Sequence, residues 1–501
     1  MQEIIWSQQP AYPVLAALQL LPLLGAVIVY GLRERAFAAT LGRAFAAAEL
    51  FIAIDLYRRF DAVSPLLQFA ERLNFPGALD YHAAADGITV VFILTTALLT
   101  LLVSVYSLVR GLPDLGRLLA VVLAIESVIM SLLTSQNLLW FVLASTAELG
   151  LIGYMLWRWS NSAEKDRALR RFYQFHGTGV LLLLIGTLLA GNHHADFVGG
   201  HASYELADLV VSTGKSERAG VIFILLFVGL AIRAPLFPFH GWLPVVTRHG
   251  NIAMAPAFLL GIKVGIYGMI RFILPMLPAV SAQARGVILG AALAGIFYAA
   301  LLAFQQTNLR RLLAFAVVSH TSLLAIGIFT LEPEALEGAV LLAVTFGLAA
   351  TAMLFMVGLV YRRTGSTQLS RLGGLFDRLP AIALTFFVGG LAIVCMPGTP
   401  GFDAAHLIFE SAIHRFGALA TLAAALGNVV AAGFLLWAFQ RAFLAPAPAG
   451  RAATVERTSP MEWFIALVVV TVLLVAGFYT NPWFDLVDAP MRALGQRLGT
   501  I

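Results

Sequence analysis

Cysteine is almost missing from this chain: Cys395 is the one thiol among 501 residues. That excludes an internal disulfide and a cysteine-ligated iron–sulfur cluster. Charge is scarce as well. Asp, Glu, Lys and Arg together make 12% of the chain, about half of the ~25% typical of soluble domains. No GxGxxG dinucleotide loop and no Walker phosphate loop occurs, so no nucleotide or electron carrier has a recognisable site here. The net charge of +5 is carried by connecting segments and does not point to nucleic acid. The start, MQEIIWSQQPAYP, lacks a basic n-region and a small-residue cleavage site, so the first apolar span is expected to stay.

What is abundant is hydrocarbon. Sixty per cent of residues are hydrophobic, and apolar runs of about 20 residues, long enough to span a bilayer, recur along the chain. The expected fold is an all-α polytopic membrane protein with about 14 transmembrane helices. These fall near 12–32, 36–57, 87–109, 116–134, 137–158, 168–191, 219–246, 253–275, 285–304, 310–330, 335–361, 381–414, 417–440 and 461–480. A short amphipathic piece, 484–498, follows. With the N-terminus outside, twenty of the 32 Lys and Arg fall on inside connections and nine outside; Arg233, Lys263 and Arg271 fall within spans. The positive-inside rule therefore favours both termini on the outer side. The longest extramembrane pieces, 58–86 and 192–218, are expected to be outside loops. The second holds His193, His194 and His201, but no Cys or carboxylate stands at a metal-site spacing, and no metal site is expected. Residues 445–460 are expected to form a mobile or partner-docking inside linker.

Two spans are interrupted. In AIRAPLFPFHGWLP, Pro235 and Pro238 break the seventh span, with Arg233 just before the break and His240 after it. In MPGTPGF, Pro397 and Pro400 break the twelfth. Proline removes a backbone donor and clashes with the preceding turn. The breaks are five spans apart, an odd number, so spans 4–8 and 9–13 are expected to be two inverted five-helix repeats. The expected organisation is an N-terminal three-helix segment 1–115, a first half 116–275, a second half 285–440, and a remainder 441–501 comprising linker, last span and amphipathic tail. Broken helices expose backbone groups and dipole ends at the midplane, which suits ions or water.

Ionisable residues punctuate the spans. Glu49, Glu126 and Glu148 lie in spans 2, 4 and 5; Lys263 and His320 in spans 8 and 10; Asp403, His406 and Glu410 in span 12. Each is costly in lipid, so each should face the bundle interior or a partner group. A water-connected row of groups that gain and lose protons is the requirement for proton movement. Arg233 cannot lose its proton. It is expected to act as a fixed charge clamping a carboxylate such as Glu148.

The motifs resemble the antiporter-like subunits shared by respiratory complex I and Mrp-type cation/proton antiporters, most nearly the M-type (subunit 4) branch. The resemblance runs from about Tyr81 to Leu444. It rests on YHAAADGITV from Tyr81, LAIESVIM around Glu126, ELGLIGYML at Glu148, APLFPFHGWLP, GIKVGIYGMIRF at Lys263, QTNLRRLLAFAVVSH into His320, and LWAFQRAF. It implies a proton relay of Glu126, Glu148, Lys263 and His320, with Asp403, His406 and Glu410 near its far end. Three positions depart from the family. Arg233 replaces a lysine, Phe346 stands where a histidine is common, and the expected span 12 glutamate falls near Ala405. The tail past span 14 is too short for the lateral helix of the L-type subunit.

The expected function is a proton-translocating, or Na+-translocating, subunit of a larger complex, not catalytic alone and without a cofactor. Three other readings stay open. One is the membrane subunit of a CO2/bicarbonate accumulation complex, energising a soluble zinc-dependent CO2-hydrating partner. Another is the M-type subunit of a complex I-like NADH/quinone oxidoreductase with redox partner subunits. The last is a non-conducting scaffold. The expected location is a bacterial inner membrane, with the lipid bilayer and H+ or Na+ as the other partners.

Overall fold

The computed structural model describes residues 3–9, 12–73, 80–160, 162–250, 258–259, 261–446 and 455–499. The helices are α1 (Val14–Gly31), α2 (Ala38–Arg59), α3 (Gly87–Arg110), α4 (Leu115–Thr134), α5 (Leu138–Trp159), α6 (Lys165–Val198), α7 (Leu206–Ser212), α8 (Ala219–Arg233) and α9 (Leu243–His249). Then come α10 (Val264–Gly268), which runs through a π-turn (Met269–Ile273) into Leu274–Met276, α11 (Pro278–Phe304), α12 (Leu309–Thr330) and α13 (Pro333–Thr364). The chain finishes with α14 (Pro380–Ile393), α15 (Gly401–Phe416), α16 (Ala418–Phe439), α17 (Pro460–Phe478) and α18 (Asn481–Gly499).

Ten of these helices are long and apolar enough to cross a membrane. α2 has the length but carries Arg43, Glu49 and Asp55. With α2, the interrupted pairs α8/α9 and α14/α15, and the short α10, the crossings number fourteen, ten of them in two inverted five-helix halves. The first part of the expected eighth span, 253–257 and 260, and the linker residues 447–454 lie outside the described residues.

Hydropathy alone does not separate the central helices from the peripheral ones. The apolar window of α12 is wholly buried and that of α13 is 94% buried, whereas that of α17 is 28% buried. α12 is thus the axis of the bundle, and α17 lies on its lipid side. Large apolar side chains such as Phe51, Val287, Leu419 and Leu467 point outward, as lipid contact allows. The starts of α3, α5 and α12 are capped by side chains, because an unpaired N–H has no water to turn to. Asp86 accepts from Thr89 N at 3.0 Å, Asn137 from Trp140 N at 3.1 Å, and Asn308 from Arg310 N at 3.0 Å.

Two expected loops are structured. Residues 58–86 contain β2 (Leu67–Leu73) and β3 (Tyr81–Ala85), which pair antiparallel; β1 (Glu3–Ile5) joins β2 in parallel. The fold is therefore all-α apart from this small sheet. Glu71 of β2 accepts from the backbone N–H groups of Leu15 and Ala16 at 2.9 and 2.8 Å, so the sheet caps α1. In 192–218, α6 continues to Val198 and α7 follows. His193 and His194 are on α6 and meet Ser212 at 3.2 Å each. Among the described residues, no group of three or more His, Cys, Asp or Glu is placed to hold a metal.

Candidate functional site: a buried polar line

The first cluster forms where α8 stops. Arg233 is the last residue of α8, and its Nη2 donates to Glu148 Oε2 of α5. Both are more than nine-tenths buried. Ending the helix frees carbonyls of its last turn, and the Trp242 indole beyond the break donates to Ile232 O at 3.0 Å. Pro235 and Pro238 therefore sit in a link whose polar groups are partly re-satisfied by the next segment. His240 is buried in that link, stacked against Phe237 and edge-on to Tyr298.

His176 of α6 joins this cluster. It is buried, edge-on to Trp242 with ring centroids 4.4 Å apart, and its Nε2 has no hydrogen-bond partner. A cavity of about 20 Å³ touches Glu148, Arg233, His176 and Val264. That is room for about one water. Val264 follows Lys263 in the chain, so this space lies between the first cluster and the second.

The second cluster centres on Lys263. The eighth span is not the continuous helix that the hydropathy suggests. Lys263 stands in a non-helical link with φ 51°, the left-handed region that residues other than glycine seldom occupy. Its Nζ donates to Thr321 Oγ1 at 3.1 Å and lies 4.5 Å from the centroid of the Phe346 ring. His320 stacks on that ring as well, with centroids 5.2 Å apart and planes 16° from parallel. Phe346, at the position where the family often has histidine, is thus an apolar plate that carries both basic groups.

His320 has two acceptors around it. Nδ1 faces Ala316 O at 3.0 Å and Nε2 faces Asn428 Oδ1 at 3.1 Å. Asn428 Nδ2 is committed, donating at 2.8 Å to Val394 O, a carbonyl left free where α14 ends. Turning the amide would set one oxygen against another. The ring form that satisfies both contacts is the doubly protonated one. Asn428 thereby ties the twelfth-span break to the centre of the bundle.

The far end differs from the expected arrangement. α15 restarts at Gly401 and turns Ala404, Ala405 and Ile408 inward. At 100° per residue His406 and Glu410 then face outward. Their side chains are 72% and 60% exposed and stand 3.9 Å apart. They are not part of the buried line, and its span 12 position is the apolar Ala405. Asp403 is half-buried and accepts from Thr480 Oγ1 at 2.8 Å. Pro397 and Pro400 occupy the link between α14 and α15, where Gly398 (φ 85°) packs under Phe478.

Glu126 and Glu49 form a separate acidic pair. Both are fully buried on α4 and α2, and none of their four carboxyl oxygens has a hydrogen-bond partner. Glu49 is the acid that neighbours Glu126, and the Thr100 side chain faces it.

Residues 135–431 match the family model described as NADH:quinone oxidoreductase/Mrp antiporter, TM. NADH-quinone oxidoreductase subunit 13 of Thermus thermophilus is 31% identical over 84% of this chain and 87% of its own. The chain belongs to this antiporter family. NADH-quinone oxidoreductase subunit M of Mycobacterium tuberculosis is 28% identical over 97% of this chain and 95% of its own. A chain of respiratory complex I from Thermus thermophilus with bound NADH superposes with a TM-score of 0.85 at 27% identity, covering 97% of this chain and all of that one. One from the Mrp complex of Dietzia sp. superposes at 0.84 over 97% of this chain and 99% of its own; at 18% identity it speaks for the fold alone. The protein is an antiporter-like, multi-pass membrane protein.

Reading the sequence missed three members of this site. His176 and Asn428 are lone polar residues in apolar runs, in FHGTG and ALGNVV, and that was the available signal. Thr321 adjoins His320 and had no signal of its own. An Asp86–Arg271 pair at 2.6 Å, buried with Thr89 and Tyr267, links α3 to the π-turn that follows Lys263.

Proposed function

We propose that this chain translocates protons as one subunit of a larger complex in a bacterial inner membrane, with both termini on the outer side. The observation that carries the proposal is the Lys263–Thr321/His320–Asn428 cluster in the middle of the bundle. Two basic groups meet there at two helix breaks, away from lipid. Lys263 can give up its proton when desolvated. The His320 ring is fully bonded only when charged, yet it then stands beside an ammonium. Holding a single exchangeable proton between the two, so that only one is charged at a time, relieves that conflict. Glu148 and Glu126 supply carboxyls on the first-half side, and Arg233 sets the field at Glu148 without relaying. The names of the relatives, subunits of NADH-quinone oxidoreductases, support assembly into a multi-subunit complex. So does the outward His406–Glu410 pair, which lies within a spanning segment and is costly against acyl chains unless a neighbouring chain covers it.

The test is proton flux into proteoliposomes holding the purified complex, followed with a pH-sensitive dye. Lys263→Ala should reduce flux to the level of protein-free vesicles while the complex assembles normally. Wild-type flux in that variant overturns the assignment. Flux that follows an imposed Na+ gradient but not a proton gradient assigns Na+ instead.

A second reading has one observation in its favour. Arg233, Phe346 and Ala405 replace groups expected from the family resemblance, and a reduced relay suits spending an ion gradient on a partner. Inorganic-carbon accumulation through a zinc-dependent CO2-hydrating subunit is that reading. Co-purification separates the two: a zinc protein supports it, and a set of redox subunits supports an M-type role.

A further inference from the structure

A second polar cavity, remote from the buried line, lies at the membrane face that carries the arginine-rich connections. It measures about 270 Å³ and opens where α3, α5, α9, α12 and the end of α13 meet. Arg110, Arg248, His249 and Arg310 line it, with Tyr106 and Tyr361, and no carboxylate does.

Arg310 is the unusual member. It is 7% exposed at the start of α12. Nη2 donates to Gly250 O at 2.9 Å, but Nε has no partner. The groups acting on it are the neutral phenols of Tyr361 and Tyr106. Arg110 lies over the Tyr361 ring at 5.6 Å. Every Asp and Glu of the chain is among the described residues. Of the acids next to the cavity, Asp114 is engaged by Arg158, and Glu164 by Arg167 at 2.9 Å and His249 at 3.8 Å. A guanidinium cannot shed its proton, and a buried one without a counter-charge is strongly unfavourable. Arg310 would be expected to have an acidic partner, and the protein supplies none.

We propose that this cavity binds a phosphate-bearing anion, the headgroup of an anionic phospholipid. The planar, forked donors of arginine match phosphate oxygens, and Arg310 Nε has a donor to spare. The cavity sits at the membrane–water boundary, on the face where positive-inside segments meet the anionic leaflet. Trp159 and Tyr361 at its edge are the residue types that lodge at headgroup level. None of its residues belongs to the buried line, so the assignment stands or falls independently of proton movement.

The test uses the full chain, delipidated in neutral detergent. Thermal unfolding and native mass spectrometry are followed on adding phosphatidylglycerol, phosphatidylcholine or inorganic phosphate. Phosphatidylglycerol should raise the unfolding temperature and give one retained lipid per chain, and phosphatidylcholine should not. Arg110→Gln and Arg248→Gln, which alter side chains that are not fully buried, should each weaken that retention about tenfold, as loss of a charge-assisted contact does. Arg310→Gln should abolish it; if that variant fails to fold, the other two still decide. Equal protection by inorganic phosphate overturns the lipid source and supports a soluble phosphate compound at the same arginines. Equal effects of both lipids, or none, overturn the site.

Discussion

Arg233 keeps Glu148 in the membrane. Removing one partner of a buried ion pair leaves the other uncompensated, at a cost of about 3–5 kcal/mol. Arg233→Gln should lower stability in detergent by about that much, and adding Glu148→Gln should recover most of it. A double variant as unstable as the single one would show that the pair does not act as a unit. The acidic pair makes a different prediction. Two carboxyls buried together without a cation are costly to ionise, so the pair is expected to carry protons. Dicyclohexylcarbodiimide, which adds to protonated carboxyls in apolar surroundings, should label Glu49 or Glu126, read as a mass increase on the corresponding peptide. Absence of label, or protection by Na+, would mean that the pair holds something other than protons. Charges of this kind were legible in the sequence, because a Glu or Lys within an apolar run has few explanations. The Asn428 contact was not. An asparagine in a spanning helix announces a hydrogen bond but not its address, and the address here is a carbonyl 34 residues away.

At the scale of elements, hydropathy located the crossings and proline the two interruptions, since both depend on local composition. It did not locate the break at Lys263, which depends on a neighbouring helix. Gly347 of α13 lies against Gly261, and a Cβ at residue 347 would come 1.9 Å from Gly261 O. That close crossing fixes the backbone leading into Lys263. Gly347→Ala should therefore cost about 1–3 kcal/mol as an overpacked contact and reduce proton flux, even though alanine touches no ionisable group. Full flux in that variant would mean that the Lys263 link is held by other contacts. The direction of α15 was equally hidden. The sequence offered Asp403, His406 and Glu410 as one group, whereas restarting the helix at Gly401 sends the last two to the surface. Where a helix begins decides which face its residues occupy, and the proline pair left that phase open by several residues.

The small sheet closes one end of the whole molecule. His82 of β3 lies between Glu3 Oε2 at 2.9 Å and Glu205 Oε2 at 2.6 Å, and Arg72 also reaches Glu3 at 2.8 Å. Burial works against the Glu3 charge, but the hydrogen bond from Arg72 and the charges of His82 and Arg72 hold its carboxyl below the usual 4.5. A depressed carboxylate stabilises the fold above its unfolded value and loses that contribution as pH falls through the folded one. The N-terminal strand should become more sensitive to protease as pH drops below about 4.5, and Glu3→Gln should remove the dependence. A pH-independent strand would leave the ion pairs without a stabilising role. The other end of the chain also contributes to closure. α18 passes Gly87 so closely that a Cβ there would come 1.6 Å from Leu486 O. Neither feature could be read from composition, because each joins segments far apart in the chain, as His82 with Glu205 and Gly87 with Leu486.

The space shared by Glu148, Arg233, His176 and Val264 has a consequence for throughput. One molecule of solvent can bridge it, but a sodium ion with its shell of oxygen ligands does not fit without prising the helices apart. On the proposed proton-translocating reading, a hydrogen would cross this gap by bond exchange, handed on as the bridging molecule reorients. Widening that space, for instance with Leu149→Ala, would admit more solvent, and traffic there should quicken while becoming less selective.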